Sequence, residues 1–227
     1  MSSTILSTKK LSIAQRELLL NAKLNIVEYD AIKISFNEFQ IEKVLDFYLF
    51  TSQNAVCSFI KNHESLSSPI KKELGLRAFC VGEKTKNLLQ QHHIEVVAFA
   101  NSAEELADIL VKNYCDYSFL LFCGNMRRDE LPKTLKAHKV KFEEVEVYQT
   151  TLNPKKFNRT FDGILFFSPS GVRSFSTLND LSKSMAFCIG RATSSQVKKY
   201  THQFIQANKP TIENVIVQAV KHYQENT

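Results

Sequence analysis

The sequence predicts two α/β domains related by an internal duplication, each a largely parallel sheet covered by helices. Three observations carry this. The phrase Ala78-Phe79-Cys80-Val81-Gly82-Glu83-Lys84-Thr85 recurs 108 residues later as Ala186-Phe187-Cys188-Ile189-Gly190-Arg191-Ala192-Thr193. Upstream, Phe50-Thr51-Ser52-Gln53-Asn54-Ala55-Val56 is matched 116 residues on by Phe166-Phe167-Ser168-Pro169-Ser170-Gly171-Val172. Between these phrases short apolar runs alternate with amphipathic stretches, the pattern of parallel strands and their covering helices. Weaker matches link 102–114 with 211–223 and 4–10 with 119–128, so the units cover roughly 2–114 and 118–223 and are far longer than solenoid repeats.

The elements follow in order. Strand-like runs fall at 5–7, 25–29, 48–51, 77–81 and 95–99 in the first unit, and at 118–122, 141–145, 163–167, 186–189 and 204–206 in the second. Helical stretches separate them at 12–22, 54–64, 84–92, 103–113, 129–138, 171–178, 192–200 and 211–224. Ser102 ahead of Glu104-Glu105, and Thr211 ahead of Glu213, put a capping hydroxyl and acids at the positive end of a helix. Gly171 and Gly190 mark turns from strand to helix. Two further segments, 32–36 and 145–151, alternate with period two and read as extended crossings between domains; Asn153-Pro154-Lys155-Lys156 then signals a stop.

Composition narrows the class. The chain has 227 residues, 44% hydrophobic and 23% charged, ordinary for a globular protein with two cores. No apolar run approaches the roughly 20 residues of a membrane span, and Met1-Ser2-Ser3-Thr4 leads into a strand without a signal-peptide core. The five cysteines show no C-x-x-C spacing, and three lie in apolar runs; this points to reduced thiols and a cytoplasmic setting. The net charge of +6 is spread along the chain, apart from pairs such as Lys9-Lys10, Lys71-Lys72 and Arg127-Arg128. That distribution fits a small anionic ligand better than nucleic acid, whose partners carry a clustered basic stripe.

Parallel sheets bind ligands at the carboxyl ends of their strands, where helix N-termini expose unpaired N–H groups. The repeated turns fall there. Thr51, Ser52 and Asn54, Gly82 and Thr85, Ser168 and Ser170, and Gly190 and Thr193 form two equivalent sets, with Gly124, Asn125 and Arg127 as a fifth turn. Their small residues and hydroxyls suit carboxylates. The same hydroxyls would also serve as plain helix caps, and both roles are open at this level. Taken as a set, the turns predict a binding cleft between the two halves. Neither G-x-G-x-x-G nor a P-loop is present, Ser170 does not lie in G-x-S-x-G, and the six histidines lack metal-ligand spacing. No metal and no covalent nucleophile is expected. Tyr148, on the second crossing, is either an aromatic packed beside a hinge or a proton donor; a phenol, with an ordinary pKa of about 10, can protonate a leaving hydroxyl. At the 116-residue offset its counterpart is Ile32.

In this order, Phe50-Thr51-Ser52-Gln53-Asn54-Ala55-Val56, Phe122-Cys123-Gly124-Asn125 with Arg127 and Leu131-Pro132, Val147-Tyr148-Gln149-Thr150, and Phe166-Phe167-Ser168-Pro169-Ser170-Gly171 with Ile189-Gly190 and Thr193 resemble the uroporphyrinogen-III synthases. The likeness covers about residues 48–195; Lys9-Lys10 depart from it, standing where relatives carry an Arg-Pro turn. The resemblance implies two flavodoxin-like domains joined by a two-stranded linker at about 32–36 and 145–153. One domain would be 1–34 plus 154–227 and the other 37–147. It implies a lyase of tetrapyrrole (heme) biosynthesis that closes hydroxymethylbilane, inverting its last pyrrole through a spiro intermediate, with no cofactor and no metal. Oligomeric state is open at this level, with a flexible monomer expected, a transient contact to the preceding pathway enzyme, and no nucleic-acid or membrane partner. Tyr148 would stand near the leaving hydroxyl. The repeated turns, with Lys9 and Lys10, would hold the eight carboxylates. The alternative is a non-catalytic, two-lobed anion-binding or regulatory module of the same fold.

Overall fold

The computed structural model describes residues 3–41, 43, 45–65 and 76–225. The expected Lys71-Lys72 pair and the first two residues lie outside them. The chain divides into two compact units, residues 1–33 with 151–227 (unit 1) and residues 34–150 (unit 2).

Unit 1 holds β1 (Thr4–Ser7), α1 (Ile13–Asn21) and β2 (Asn25–Glu28) from the amino-terminal piece. The carboxyl-terminal piece adds β9 (Gly163–Phe166), α6 (Pro169–Ser176), β10 (Met185–Cys188), α7 (Arg191–Val197), β11 (Phe204–Gln206) and α8 (Ile212–Glu225). Its sheet runs β11-β10-β9-β1-β2 with every pair parallel. This is the flavodoxin-like strand order. Ser12 starts α1 as one half of a capping box, its hydroxyl accepting from Gln15 N while Gln15 Oε1 accepts from Ser12 N. Helices cover both faces. Val172, Phe175 and Val197 pack on one side against Ile164 and Phe166; Leu19, Val215, Ile216 and Ala219 pack on the other against Ile5, Leu165 and Phe187.

Unit 2 contains most of β3 (Ile32–Phe36), then β4 (Phe47–Phe50), α2 (Gln53–Ser65), β5 (Arg77–Val81), α3 (Glu83–Gln91), β6 (Glu95–Ala100), α4 (Ala103–Asn113), β7 (Ser118–Gly124), α5 (Glu130–Ala137) and β8 (Lys141–Leu152). Strand order is β3-β8-β7-β4-β5-β6. From β8 to β6 the neighbours are parallel. β3 runs against β8, since Asn37 N donates to Val147 O and Asn153 N donates to Ala31 O. The central strand β4 is buried along its whole length, which explains its continuous apolar run Phe-Tyr-Leu-Phe. Phe50, Phe59 and Phe122 meet on one face, with the Phe50 and Phe122 rings stacked 4.9 Å apart; Phe79, Leu106 and Leu135 fill the other.

The duplicated α/β architecture is therefore present, with the opening strands exchanged between repeats. β7 and β8, which open the second repeat, complete the sheet of the first; β1 and β2 complete the sheet of the second. The expected strand at 141–145 and the crossing that follows it are one twelve-residue strand, β8. No proline or glycine interrupts that stretch. The helix expected at 171–178 starts two residues earlier, because Pro169 occupies the first turn behind the Ser168 cap, where its fixed φ suits a helix start.

Candidate functional site

Strand order reverses between β4 and β7 in unit 2 and between β1 and β9 in unit 1. Such switch points open a crevice at the carboxyl ends of the strands. In unit 2 a cavity of about 360 Å³ lies there. Thr51 and Ser52 line it from the end of β4, Asn101, Ser102 and Glu104 from the start of α4, and Met126, Arg127 and Arg128 from the turn after β7. Tyr148 of β8 enters the same cavity, beside Val81, Leu121, Leu131 and Pro132.

Ser52 has two partners. Its Oγ accepts from Ala55 N, capping α2, and donates to the Tyr148 phenolic oxygen at 3.1 Å. In this arrangement the phenolic oxygen accepts a hydrogen bond from Ser52, which leaves its own O–H to be directed elsewhere. The ring rests on Gly124. A Cβ at that position would fall 2.5 Å from Tyr148 Cε2 and 2.9 Å from Cε1, so no larger residue fits without moving the ring.

The pairing of β7 with β8 explains how the ring reaches this place. Register is one to one up to Cys123↔Glu146, but the next pair is Gly124↔Tyr148, so β8 carries one extra residue, Val147. Such a bulge re-aims the side chain beside it. Beyond it Asn125 continues the ladder with its side chain: Oδ1 accepts from Thr150 N at 2.8 Å and Nδ2 donates to Thr150 O. Asn125, expected as a substrate contact, is thus engaged in holding β8.

The cations differ in kind. Arg127 pairs with Asp129 at 2.5 Å and with Glu144 at 2.6 Å. Burial alone would lower its pKa, but the hydrogen bond to Asp129 and the Glu144 charge hold it above the ordinary value. Arg128 lines the same cavity and is exposed, and its charge acts on Glu104. Glu104 is held below the usual carboxylate range by hydrogen bonds from its own backbone N–H and from Ser102, with Arg128 a smaller contribution. From sequence both arginines are candidate cations; of the two, Arg127 is engaged by Asp129 and Glu144, while Arg128 stands exposed at the cavity.

Other expected residues lie elsewhere. Asn54 is half-buried in the first turn of α2 and does not line the cavity. Gly82 adopts φ 86° at the start of α3, and Thr85 is 4% exposed with its N–H on Gly82 O. In unit 1, Ser168 caps α6 by accepting from Gly171 N, and its hydroxyl meets Ser170 Oγ at 3.0 Å. Thr193 is 2% exposed, and its N–H bonds Gly190 O in the manner of Thr85 and Gly82. Both threonines are part of their helix starts rather than of an open surface. Lys9 and Lys10 are exposed after β1, with Lys10 N donating to Asp30 Oδ1. Their turn adjoins that of Ser168, since a Cβ on Gly171 would lie 3.5 Å from Thr8 Oγ1. Among the described residues no group of three or more His, Cys, Asp or Glu is placed to hold a metal ion, and no helix is long and apolar enough to cross a membrane.

Residues 14–216 match the family described as uroporphyrinogen-III synthase HemD. The chain belongs to the uroporphyrinogen-III synthase family. A curated relative, the porphyrin biosynthesis protein HemD of Ruminiclostridium josui, is 25% identical over 222 residues. The match takes in 90% of this chain but only 40% of that protein, so the chain spans well under half the length of this family member. Among solved structures, the uroporphyrinogen-III synthetase of Helicobacter pylori shares the fold with a TM-score of 0.72 at 22% identity, covering 98% of this chain and all of that one. A mutant uroporphyrinogen III synthase of the extreme thermophile Thermus thermophilus gives 0.70 at 12% identity, with both chains covered completely. These likenesses establish the two-domain fold of the synthases for this chain.

Proposed function

We propose that the chain is a uroporphyrinogen-III synthase, closing hydroxymethylbilane to uroporphyrinogen III with loss of water and inversion of the last pyrrole. The observation that carries this reading is the Tyr148 phenol, seated on Gly124 and hydrogen-bonded by Ser52 in a cavity that also holds Arg128. Family membership supplies the reaction class. Tyr148 protonates the terminal hydroxyl as its C–O bond breaks, and water leaves. The electron-poor azafulvenium cation that results is attacked by a ring carbon of the last pyrrole to give the spiro intermediate. Rearrangement to the inverted ring releases the proton that restores the phenol from its phenolate. General-acid catalysis of this kind is worth about 10²–10⁴ in rate. Unassisted closure without inversion competes, so holding the chain folded is the second task. Arg128 and the N–H groups at the start of α4 serve one or more of the substrate's carboxylates. In unit 1, Lys9, Lys10 and the Ser168–Ser170 turn offer donors of the same kind.

The reading includes a monomer in the cytoplasm, where Cys80, Cys123 and Cys188 remain buried thiols acting as small hydrophobes. The test supplies hydroxymethylbilane to the purified chain and resolves the uroporphyrinogen isomers. Type III product at rates above spontaneous closure is expected. Type I alone sinks the synthase reading and leaves the non-catalytic anion-binding module.

A further inference from the structure

We propose that Ser58 is a positioning residue for Tyr148, acting through the carbonyl of the bulge; this rests on the acid role given to Tyr148 above. Ser58 lies on the face of α2 that carries Ala55, Val56 and Phe59, all buried, and is itself 0% exposed. A hydroxyl in such a place requires a partner. It has one: Ser58 Oγ donates to Val147 O at 2.5 Å. Val147 is the extra residue of β8, and its carbonyl also accepts from Asn37 N at 2.9 Å.

The consequence is a two-point hold by one helix. The cap serine of α2, Ser52, meets the phenolic oxygen, and Ser58 fixes the backbone from which the phenol projects. Gly124 beneath the ring and Asn125 on Thr150 restrain the remaining sides. A bulge has an unpaired residue and is the softest point of a ladder. Without the Ser58 bond the carbonyl would lose its tie to α2, and the phenol could swing about the bulge. Displacement of a reacting group by about 1 Å can cost about a hundredfold in rate.

The experiment measures kcat and KM for hydroxymethylbilane in Ser58→Ala, Ser58→Cys, Tyr148→Phe and Ser58→Ala/Tyr148→Phe. Cysteine fills a similar space with a weak donor, which keeps the test valid should the alanine variant fail to fold. Both single Ser58 variants are expected to lose about tenfold in kcat, within the positional sensitivity just given, with KM nearly unchanged. The double variant is expected to be no slower than Tyr148→Phe, because Ser58 acts only through the phenol. Wild-type kcat in the folded Ser58 variants overturns the proposal. So does a Ser58 loss that multiplies in full onto Tyr148→Phe, the mark of a purely structural role. A slow Tyr148→Phe beside fast Ser58 variants overturns the positioning role alone, whereas absence of type III product from the wild type overturns the function and this role together.

Discussion

Ser52 of unit 2 accepts from the N–H three residues on and donates a hydrogen bond to a phenol; Ser168 of unit 1 accepts from the N–H three residues on and meets the hydroxyl of Ser170. The two serines are counterparts in the repeat, each capping the helix that follows a switch-point strand. Both glycine-to-threonine turns also survive, with Thr85 and Thr193 buried and bonded alike. Duplication therefore preserved what the helix starts need. The difference arises on the crossing strands, where Tyr148 has Ile32 as its counterpart. A bulge, a glycine and a serine cap gather around one phenol in unit 2, and this is the arrangement to which the proton-donor proposal is attached.

The contrast between the units is most vulnerable at Gly124. Gly124→Ala drives a methyl into the Tyr148 ring, and steady-state kinetics should show a loss of about a hundredfold through displacement. The same overpacking should lower stability by about 1–3 kcal/mol in urea unfolding. Next come the neighbouring arginines. Arg128→Ala should raise KM about tenfold, the scale of one charge-assisted hydrogen bond, with kcat nearly unchanged. Arg127→Ala should instead destabilise by about 1 kcal/mol, because Asp129 and Glu144 lose their cation. Equal KM effects from both would erase the distinction drawn from the ion pairs.

The paired glycines separate the two units at smaller scale. Gly82 holds φ 86°, so Gly82→Ala should cost about 1–3 kcal/mol in thermal or urea unfolding. Gly190 is extended, with nothing within 4 Å of a Cβ, so Gly190→Ala should stay within about 0.5 kcal/mol. The smallest effect concerns the thiols of the doubled phrase. Burial pushes Cys80 and Cys188 each up to about 11 from 9.0. Their contribution to stability is complete below pH 9.0, the unfolded value, and is lost as pH rises toward 11. At pH 8 a thiolate-selective reagent should label exposed Cys115 in the native protein, and Cys80 and Cys188 only after unfolding. Native labelling of one and not the other would show that the units open unequally.

Much of the fold was legible because its signals are local or repeated. Fully buried strands such as β4 read as unbroken apolar runs, and the doubled phrase announced the duplication. The exchange of opening strands has no local signature, since either sheet buries the same side chains. The serine turns of the site were legible as caps with spare chemistry. Arg127 was read as a ligand cation because Glu144, seventeen residues away, reaches it only through β7–β8 pairing. The bulge at Val147, the seat at Gly124 and the hold of Ser58 depend likewise on register between distant segments.

The roles given to Ser52, Ser58 and Gly124 all depend on the phenol, and single-turnover closure of hydroxymethylbilane by Tyr148→Phe isolates it. The phenylalanine ring keeps its seat on Gly124 and loses only the hydroxyl. Turnover should fall at least tenfold, within the range of general-acid catalysis, while substrate binding stays within about twofold. Wild-type turnover in the variant would contradict the proton-donor role and leave Tyr148 a packing residue at the end of a bulged strand.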